Sequence, residues 1–399
     1  MENKTNFKFT KVERFKSEWA SYKEDFGKKN KYVKAGEDNL FPQHLIRLYN
    51  ESSIHAACVN ATVEAIIGGG LTSDPENLLD KANSHGETWN DIYSKIAYDY
   101  KLHGSYALEV IWSMDRSRIA EVYHIDFSFL RAKEKNHRGH IPGWYICESW
   151  KQHTQSTHED VFELPSFNPA TKQEEPNQIF VSKSYRPGQL YYPLPDYNAA
   201  LRVIELDTEI DNFHVNNIKN GLAPSLAITT FMNGSDDDKL AVEQMLRANY
   251  GGSSNAGSLM YIDVDSPENA PKIEPIPSNQ TDTYYTTIND LTTQKILTAH
   301  RITSPMMLGI KEAGQLGGRD EVIDAFLLWG NTVIAPLQQD ILKGLEVLLG
   351  INHPGIVLGV ETKQLYEDGT TEEEVITSVE TTDAEDAQIN QEIITETPQ

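Results

Sequence analysis

A glycine-rich stretch, Gly314-Gln315-Leu316-Gly317-Gly318-Arg319-Asp320, has the composition of a loop that cradles phosphate. Such a loop binds nucleotides when it ends in Gly-Lys-Ser/Thr, because the lysine contacts phosphate and the hydroxyl contacts Mg²⁺. This stretch lacks that ending, so the sequence does not predict an NTPase. Its glycines instead permit the loop to move. Two interpretations of Arg319 remain. Its side chain makes a functional contact, or it pairs with Asp320 or Glu321 at the start of a helix.

Histidines are the second group of residues that could support metal or catalytic chemistry. His137, His140, His153 and His158 form the densest cluster, and the spacing of the first two is compatible with zinc chelation. The segment around them has loop composition and offers no second ligand pair at helical spacing, which favours exposed loop histidines. No HExxH pattern and no recognisable Ser/His/Asp or Cys/His spacing occurs. The sequence therefore predicts no active site, metal or cofactor, and a metal-dependent hydrolase remains the enzymatic alternative.

Two cysteines and one further histidine are predicted to be structural. Cys58 and Cys147 lie in apolar surroundings, which indicates neither a disulfide framework nor a cysteine metal site. His300 stands beside Arg301 where a helix is expected to end. A cation is favourable at a helix C-terminus, so the pattern predicts a structural role for this histidine.

The compact basic patch in the first half of the chain consists of Arg131, Lys133, Lys135 and Arg138. A nucleic-acid footprint would be supported by interleaved aromatic residues on which bases stack, and the patch has none. A solvated loop is therefore predicted here.

The composition is that of an acidic globular protein. The chain has 399 residues, of which 39% are hydrophobic and 24% charged, enough for two or three domains. The net charge is −24, and residues 361–399, with twelve acids and one lysine, carry −11 of it. An acidic body argues against tight, phosphate-neutralising binding of nucleic acid. No run of eighteen apolar residues and no signal peptide is visible, so we expect an intracellular protein without membrane association.

Apolar periodicity and turn residues predict the elements that position these groups. Helical patterns occupy residues 42–67, 88–103, 196–217, 236–250, 282–300 and 321–349. Strand patterns occupy residues 106–112, 119–125, 143–147, 178–181, 225–231, 258–264 and 272–276. Pro336 lies inside the last helix and is expected to bend it. Residues 151–176 are predicted to form a long surface loop, and the acidic, Thr-rich tail from residue 361 is predicted to be disordered.

Several short motifs in a fixed order resemble the portal proteins of tailed bacteriophages. The resemblance covers about residues 33–350 and depends on the order and spacing of the motifs. The motifs are Lys295-Ile296-Leu297-Thr298-Ala299-His300-Arg301-Ile302, Ser304-Pro305-Met306-Met307-Leu308-Gly309, Gly317-Gly318-Arg319, Trp329-Gly330-Asn331-Thr332-Val333-Ile334-Ala335-Pro336-Leu337-Gln338 and, upstream, Asn216-Asn217-Ile218-Lys219-Asn220-Gly221-Leu222-Ala223-Pro224-Ser225.

The resemblance implies a mixed α+β portal fold with a defined order of domains. An N-terminal arm at residues 1–32 precedes an α/β wing at 33–234. Stem helices at 235–250 and 280–303 flank a small β clip at 251–279. A tunnel loop at 304–320 leads into a long kinked wing helix at 321–350, and residues 351–399 form a reduced crown and an acidic tail.

The same resemblance implies a function. The chain would form a dodecameric ring at one vertex of the virion capsid, assembled in the host cytoplasm, through which double-stranded DNA is packaged and ejected. Implied partners are the terminase large subunit, the major capsid protein and head-completion or adaptor proteins. A non-channel structural component of the capsid or tail is the alternative.

Particular residues acquire roles from this resemblance. Lys311, Gln315 and Arg319 of the tunnel loop would contact the DNA backbone transiently. An acidic body suits a conduit, because a sliding duplex must be held only weakly. The clip acids would face a basic partner, or alternatively only solvent; they are Asp263, Asp265, Glu268 and Glu274.

Overall fold

Residues 32–75, 77–151, 160–220, 226–230, 259–263, 281–310 and 319–362 are described by the computed structural model of the chain. Helices and strands are mixed within them, as expected for the α+β class. Among the helices in these ranges, none combines the length and apolar character that crossing a bilayer requires. The helices are α1 (Phe41–Glu51), α2 (Ser53–Ile67), α3 (Trp89–His103), α4 (Leu201–Asn220), α5 (Thr281–Ala299), α6 (Arg319–Trp329) and α7 (Ala335–Asn352).

Ten strands form four small sheets in the described part of the chain. They are β1 (Leu71–Asp74), β2 (Ser105–Trp112), β3 (Ile119–Ile125), β4 (Leu130–Ala132), β5 (Gly143–Ile146), β6 (Phe162–Pro165), β7 (Asn177–Lys183), β8 (Leu226–Thr230), β9 (Leu259–Asp263) and β10 (Val357–Val360). The orders are β3-β2-β7, β4-β5-β6 and β1-β10, all antiparallel, and β8-β9, which is parallel. The β8-β9 pair joins a strand from the predicted wing to one from the predicted clip.

Local sequence signals set the ends of the first helices. Ser52 separates α1 from α2, and its hydroxyl accepts the His55 N–H at 3.2 Å as the cap of α2. Thr88 and Asp91 form a reciprocal capping box at the start of α3. Gly104 ends α3 in the left-handed region, at φ 72°, where glycine is unstrained. The helix predicted at 88–103 is therefore confirmed, and the pattern at 42–67 is two helices.

The main hydrophobic core lies where α2, α3 and α7 pack with β2 and β3. Helix α7 approaches β2 so closely at Gly344 that an added Cβ would overlap the Tyr106 hydroxyl. That hydroxyl donates to the Ile341 carbonyl at 3.0 Å. A second core joins α1, α4 and α5. The first core thus holds the long C-terminal helix, and the second holds the helix that precedes the tunnel-loop segment.

A π-helical turn, Gly330–Ile334, interrupts the long C-terminal helix between α6 and α7. Pro336 is the second residue of α7 and lies directly after this turn. In a continuous α-helix residue 336 would donate to the Thr332 carbonyl, and proline has no N–H to donate. A π turn shifts the hydrogen-bond register at this point. The structure thus has a π turn on the N-terminal side of Pro336, and the bend that the sequence predicts at this proline stays a prediction.

Two parts of the chain differ from the sequence prediction. The prediction of an unbroken loop at 151–176 is wrong for β6, which pairs with β5 and extends a sheet. After α7, strand β10 pairs with β1, which lies more than 280 residues earlier in the chain. Neither strand is longer than four residues, too short for a clear period-two pattern.

Several predicted elements lie outside the described residues. These are most of the N-terminal arm at 1–32, the helix at 236–250, the strand at 272–276 and the tail beyond residue 362. Tyr32, the last residue of the predicted arm, makes an antiparallel bridge with Lys133.

Candidate channel loop and assembly surfaces

The predicted tunnel loop and clip are described only at their edges. Lys311 and Gln315 lie outside the described residues, and Arg319 is the first residue of α6. Of the four clip acids, Asp263 ends β9, and Asp265, Glu268 and Glu274 lie outside the described residues. The roles of these seven residues stay predictions.

The segment that enters the tunnel loop is tied back onto the helix that leaves it. After α5, Arg301 adopts a left-handed conformation at φ 57° and reverses the chain. Ser304 then caps a short 3₁₀ helix, Pro305–Leu308, with its side chain accepting the Met306 N–H. The Thr303 hydroxyl donates to the Ala325 carbonyl of α6 at 2.7 Å. Thr303 lies just before the predicted tunnel loop and Ala325 lies in the helix after it, so this bond forms the base of the predicted loop.

His300 anchors the end of α5 inside the protein. Its ring is fully buried, stacks on Tyr197 with centroids 4.8 Å apart, and has Nε2 2.9 Å from Nδ1 of His55. The prediction of a cation at this helix end is wrong, because burial and the nearby charge of Lys101 hold the pKa of His300 well below its ordinary value. Burial likewise lowers the pKa of His55 to about 3. The structural role is real, but a neutral hydrogen-bonded pair supplies it.

Lys101 supplies a buried positive charge beside this histidine pair. Its Nζ lies 3.0 and 2.9 Å from the two carboxylate oxygens of Asp196, and 5.7 Å from the centroid of the Tyr197 ring. The ion pair joins the end of α3 to the segment that enters α4. The partners are 95 residues apart in the sequence. Spacing along the chain therefore gave no signal for this pair.

Arg131 contradicts the prediction of a solvated basic patch. Its side chain is 0% exposed, with the guanidinium 5.0 Å from the Trp150 ring. It donates to the Asn39 side chain at 2.7 Å and to the backbone carbonyls of Asn39, Ser128 and Leu130. Burial lowers the pKa of Arg131 to about 10, which leaves it charged at neutral pH. One residue of the basic patch is therefore the hydrogen-bond centre that joins β4 to the start of α1.

The other members of the basic patch and the histidine cluster lie at the surface where described. Lys133 pairs with Glu163, and the Lys135 Nζ lies 5.0 Å from the Tyr191 ring centroid. Arg138, His137 and His140 are exposed. The two remaining histidines of the cluster, His153 and His158, lie outside the described residues. Cys58 and Cys147 are buried free thiols, as predicted.

Apolar side chains are exposed on helices α4 and α6. On α4 these are Leu206, Phe213 and Val215, and on α6 they are Leu327 and Leu328. An open groove of about 470 Å³ runs between α4 and α5, and its lining is mostly apolar or small: Ala199, Ala200, Val203, Leu291, Gln294, Lys295, Thr298 and Ala299. One subunit by itself leaves these apolar surfaces in water.

One cluster with metal-ligating chemistry was not found from the sequence. Asp99, His103 and Asp126 each offer a ligand atom within 4.8 Å of the others. The available signal was the Asp-x-x-x-His spacing of the first two on a predicted helix, which places them on one face. The third residue follows β3, and only the fold brings it to that face.

Comparison with protein families decides the assignment. The family model for phage portal proteins matches residues 71–365, from the first residue of β1 to just beyond β10. The chain belongs to the phage portal protein family. A search of curated protein sequences finds no significant match.

Solved structures with the same fold come from gene transfer agent particles. A chain of the native virion covers 90% of this portal protein and 91% of its own length, at a TM-score of 0.55 and 14% identity. A chain of the empty-particle neck, computed with C6 symmetry, has a TM-score of 0.55 and 15% identity over 81% and 85%. A chain of the native-particle neck, computed with C12 symmetry, has a TM-score of 0.51 and 16% identity over 82% and 86%. The portal fold is thus shared across most of the chain.

Family membership separates the alternatives that the sequence left open. A portal role is supported, and a non-channel capsid or tail component is not. The family is one of structural proteins rather than enzymes.

Proposed function

We propose that this portal protein closes into a ring of twelve copies that surrounds a channel for double-stranded DNA. The family match carries this proposal, because it spans the helix–loop–helix segment from α5 to α7 that the tunnel-loop assignment requires. The similarity to a particle neck computed with C12 symmetry supports twelve as the number of copies. Head-to-tail contacts that close generate such a ring.

The contact surface between neighbouring copies is formed by the exposed apolar residues of α4 and α6. Leu206, Phe213, Leu327 and Leu328 would be buried against a second copy, while the groove between α4 and α5 receives part of that neighbour. Burial of apolar area stabilises association by roughly 25 cal/mol per Å² before its entropic costs. A second copy is the occupant that matches the closed symmetry of the proposed ring.

The tunnel loop would project from its closed base toward the channel axis. The bond from Thr303 to the Ala325 carbonyl and the buried His300 hold both ends of that base. A loop on a rigid base can move without loosening the subunit. Lys311, Gln315 and Arg319 would then make brief contacts with the phosphate backbone. Such contacts do not depend on the base sequence of the DNA.

The remaining partners belong to the same proposal. The terminase large subunit would dock on the clip, with Asp263, Asp265, Glu268 and Glu274 facing a basic surface. Head-completion or adaptor proteins would later occupy that position. The major capsid protein would surround the ring in the virion, and assembly would take place in the host cytoplasm.

Two measurements test the ring. Light scattering after size exclusion should give a mass of about 540 kDa, twelve times the 45.0 kDa chain, and negative-stain images should show a central hole. A monodisperse 45.0 kDa monomer, or closed particles without a hole, would contradict the proposal.

A third measurement tests the loop separately from the ring. Shortening residues 313–318 should leave the ring mass unchanged and reduce the DNA retained per particle in a packaging assay. The matched control shortens the exposed turn at residues 137–140, which lies outside the loop base and should not change DNA retention. Loss of the soluble ring in the tunnel-loop variant alone would show that residues 313–318 support assembly instead.

A further inference from the structure

The C-terminal turn of α3 carries two potential metal ligands on one face. Asp99 and His103 are four residues apart in the helix and are both buried. His103 offers a ring nitrogen within 4.8 Å of a carboxylate oxygen of Asp99, and its Nδ1 is buried without a hydrogen-bond partner. A ring nitrogen that is buried without a hydrogen-bond partner is unfavourable, and a ligand bound to this nitrogen would remove that penalty.

The turn after β3 brings a second carboxylate to the same face. An oxygen of Asp126 lies within 4.8 Å of the ligand atoms of both α3 residues. Asp126 uses Oδ1 to accept the Ser128 N–H at 2.8 Å, which leaves Oδ2 for another partner. Both hydrogen bonds that the described residues make with the Asp99 carboxylate go to its Oδ2, from His124 at 2.9 Å and from the Phe127 N–H at 3.0 Å.

The charges around this cluster favour a cation. Asp99 is a buried acid in the last turn of α3, where the helix dipole disfavours negative charge, and Asp126 adds a second acid. The lysine in the same turn, Lys101, is paired with Asp196. Burial lowers the pKa of His103, and the positive charge of the buried Arg131 guanidinium also disfavours its protonation. The hydrogen bonds of Arg131 go to Asn39, Gln43 and backbone carbonyls. Among the described residues, His124 pairs with Asp99, while the hydrogen bonds of Lys101 and Arg131 go to groups other than Asp99 and Asp126.

We propose that Asp99, His103 and Asp126 bind a divalent transition-metal ion of the Zn²⁺ class. Two carboxylates and one imidazole suit Zn²⁺ better than Ca²⁺ or Mg²⁺, which take oxygen ligands. Tetrahedral coordination of Zn²⁺ places the ligand atoms about 3.3 Å apart. Small side-chain rotations would bring the three ligand atoms, now within 4.8 Å of one another, to that separation. The ion clamps the end of α3 to the turn after β3. His124, bonded to Asp99, holds that carboxylate in place from the outside.

Calorimetry on the full-length protein tests the site. The purified protein is treated with EDTA, returned to metal-free buffer and titrated with ZnCl₂, with MgCl₂ as the comparison ion. We expect one Zn²⁺ per chain, binding more tightly than Mg²⁺, and an increase in the thermal unfolding temperature on zinc addition. Elemental analysis of protein purified without EDTA should show the same one-to-one ratio.

Matched variants assign the binding to these residues. Asp126→Asn keeps the oxygen that accepts the Ser128 N–H but removes the charge, so it should fold and bind zinc at least about tenfold more weakly. His103→Gln should lose binding as well. The control is the double variant His137→Gln and His140→Gln, which removes the exposed histidine pair. Absence of stoichiometric zinc, equal affinity in Asp126→Asn, or loss of binding in the control would overturn the proposal.

Discussion

The two halves of the long C-terminal helix both reach the main core, through Trp329 of α6 and Ile341 of α7, but they differ in how much of their apolar pattern stays exposed. In α7, Ile341, Leu345 and Leu348 are buried in the main core of the subunit. In α6, Leu327 and Leu328 are 55% and 56% exposed. The π turn Gly330–Ile334 lies between the two halves. Helix α7 stabilises the fold of one copy through these core residues, and we propose that the exposed apolar face of α6 contacts another copy.

Contacts outside the helices explain the difference. Helix α7 lies against β2, with Gly344 directly beneath the Tyr106 hydroxyl. Helix α6 instead follows the predicted tunnel loop, and its Ala325 carbonyl accepts a hydrogen bond from Thr303. An apolar stripe in the sequence predicts that one face of a helix will be buried. It does not predict whether the surface that covers this face belongs to the same chain.

The largest expected effect comes from charging the exposed face of α6. The double substitution Leu327→Glu and Leu328→Glu should reduce the mass in light scattering from that of the ring to 45.0 kDa, a loss of affinity of at least about 100-fold. The secondary structure of the chain should remain, because both side chains are exposed in the subunit.

The control for that substitution is on α7. Val347 is 55% exposed, so Val347→Glu introduces one glutamate at equal exposure on the other half of the helix. It should leave the ring intact. Dissociation by Val347→Glu, or an unchanged ring in the α6 variant, would reverse the roles that the comparison assigns to the two halves.

A pH dependence of stability is expected from the His55–His300 pair that holds the base of the loop. Both pKa values are lowered in the folded protein, His55 to about 3 from an ordinary 6.5, so the unfolded chain binds more protons below pH 6.5. Stability is complete above pH 6.5 and falls as the pH decreases from 6.5 toward 3. The limiting slope is about 1.4 kcal/mol per pH unit for each histidine.

Urea unfolding of the monomeric α6 variant between pH 7 and pH 5 measures this dependence. His300→Asn should remove the contribution of one histidine from the slope, because His55 and two further described histidines with lowered pKa values, His44 and His103, still titrate. The same substitution at the exposed His140 is the control and should leave the slope unchanged. A wild-type stability that is flat between pH 7 and pH 5 would contradict the neutral, buried pair.

The smallest expected effects distinguish two glycines within α7. Gly344→Ala would press a methyl group into the buried Tyr106 hydroxyl and should lower the unfolding free energy by about 1–3 kcal/mol. Gly350→Ala meets no atom within 4 Å and should raise stability by up to about 1 kcal/mol through helix propensity. Urea unfolding in the monomeric background checks both. Equal effects of the two substitutions would show that α7 is not closely packed on β2.

Much of the element pattern was predictable because it depends on local chemistry. Helix α3 is predictable from Thr88, Asp91 and Gly104, because these residues cap its two ends through contacts within a few residues. Long periodic runs likewise gave α5, α6 and α7 and the strands β2 and β3. Strands of four residues, such as β6 and β10, carry too few positions for a period to be recognised.

The polar interior could not be predicted in the same way. Arg131 stands among other basic residues in a segment of loop composition, so its type and neighbours indicated solvent. Its burial depends on Asn39 and Trp150, which approach from distant parts of the chain. The sequence predicted a structural role for His300 from its place at a helix end. The role instead depends on burial against His55, which lies 245 residues away in the chain.

The sequence by itself determined the α+β elements, the motif order that resembles portal proteins and the acidic balance of the chain. Only the tertiary structure decided which polar groups lose their water, which acids and histidines meet at the end of α3, and which apolar face remains uncovered. The physical reason is the distance along the chain over which each effect acts. Propensity, capping and periodicity act over one or two turns. Burial, pKa and metal-ligand geometry depend on atoms that are brought together from segments far apart in the sequence.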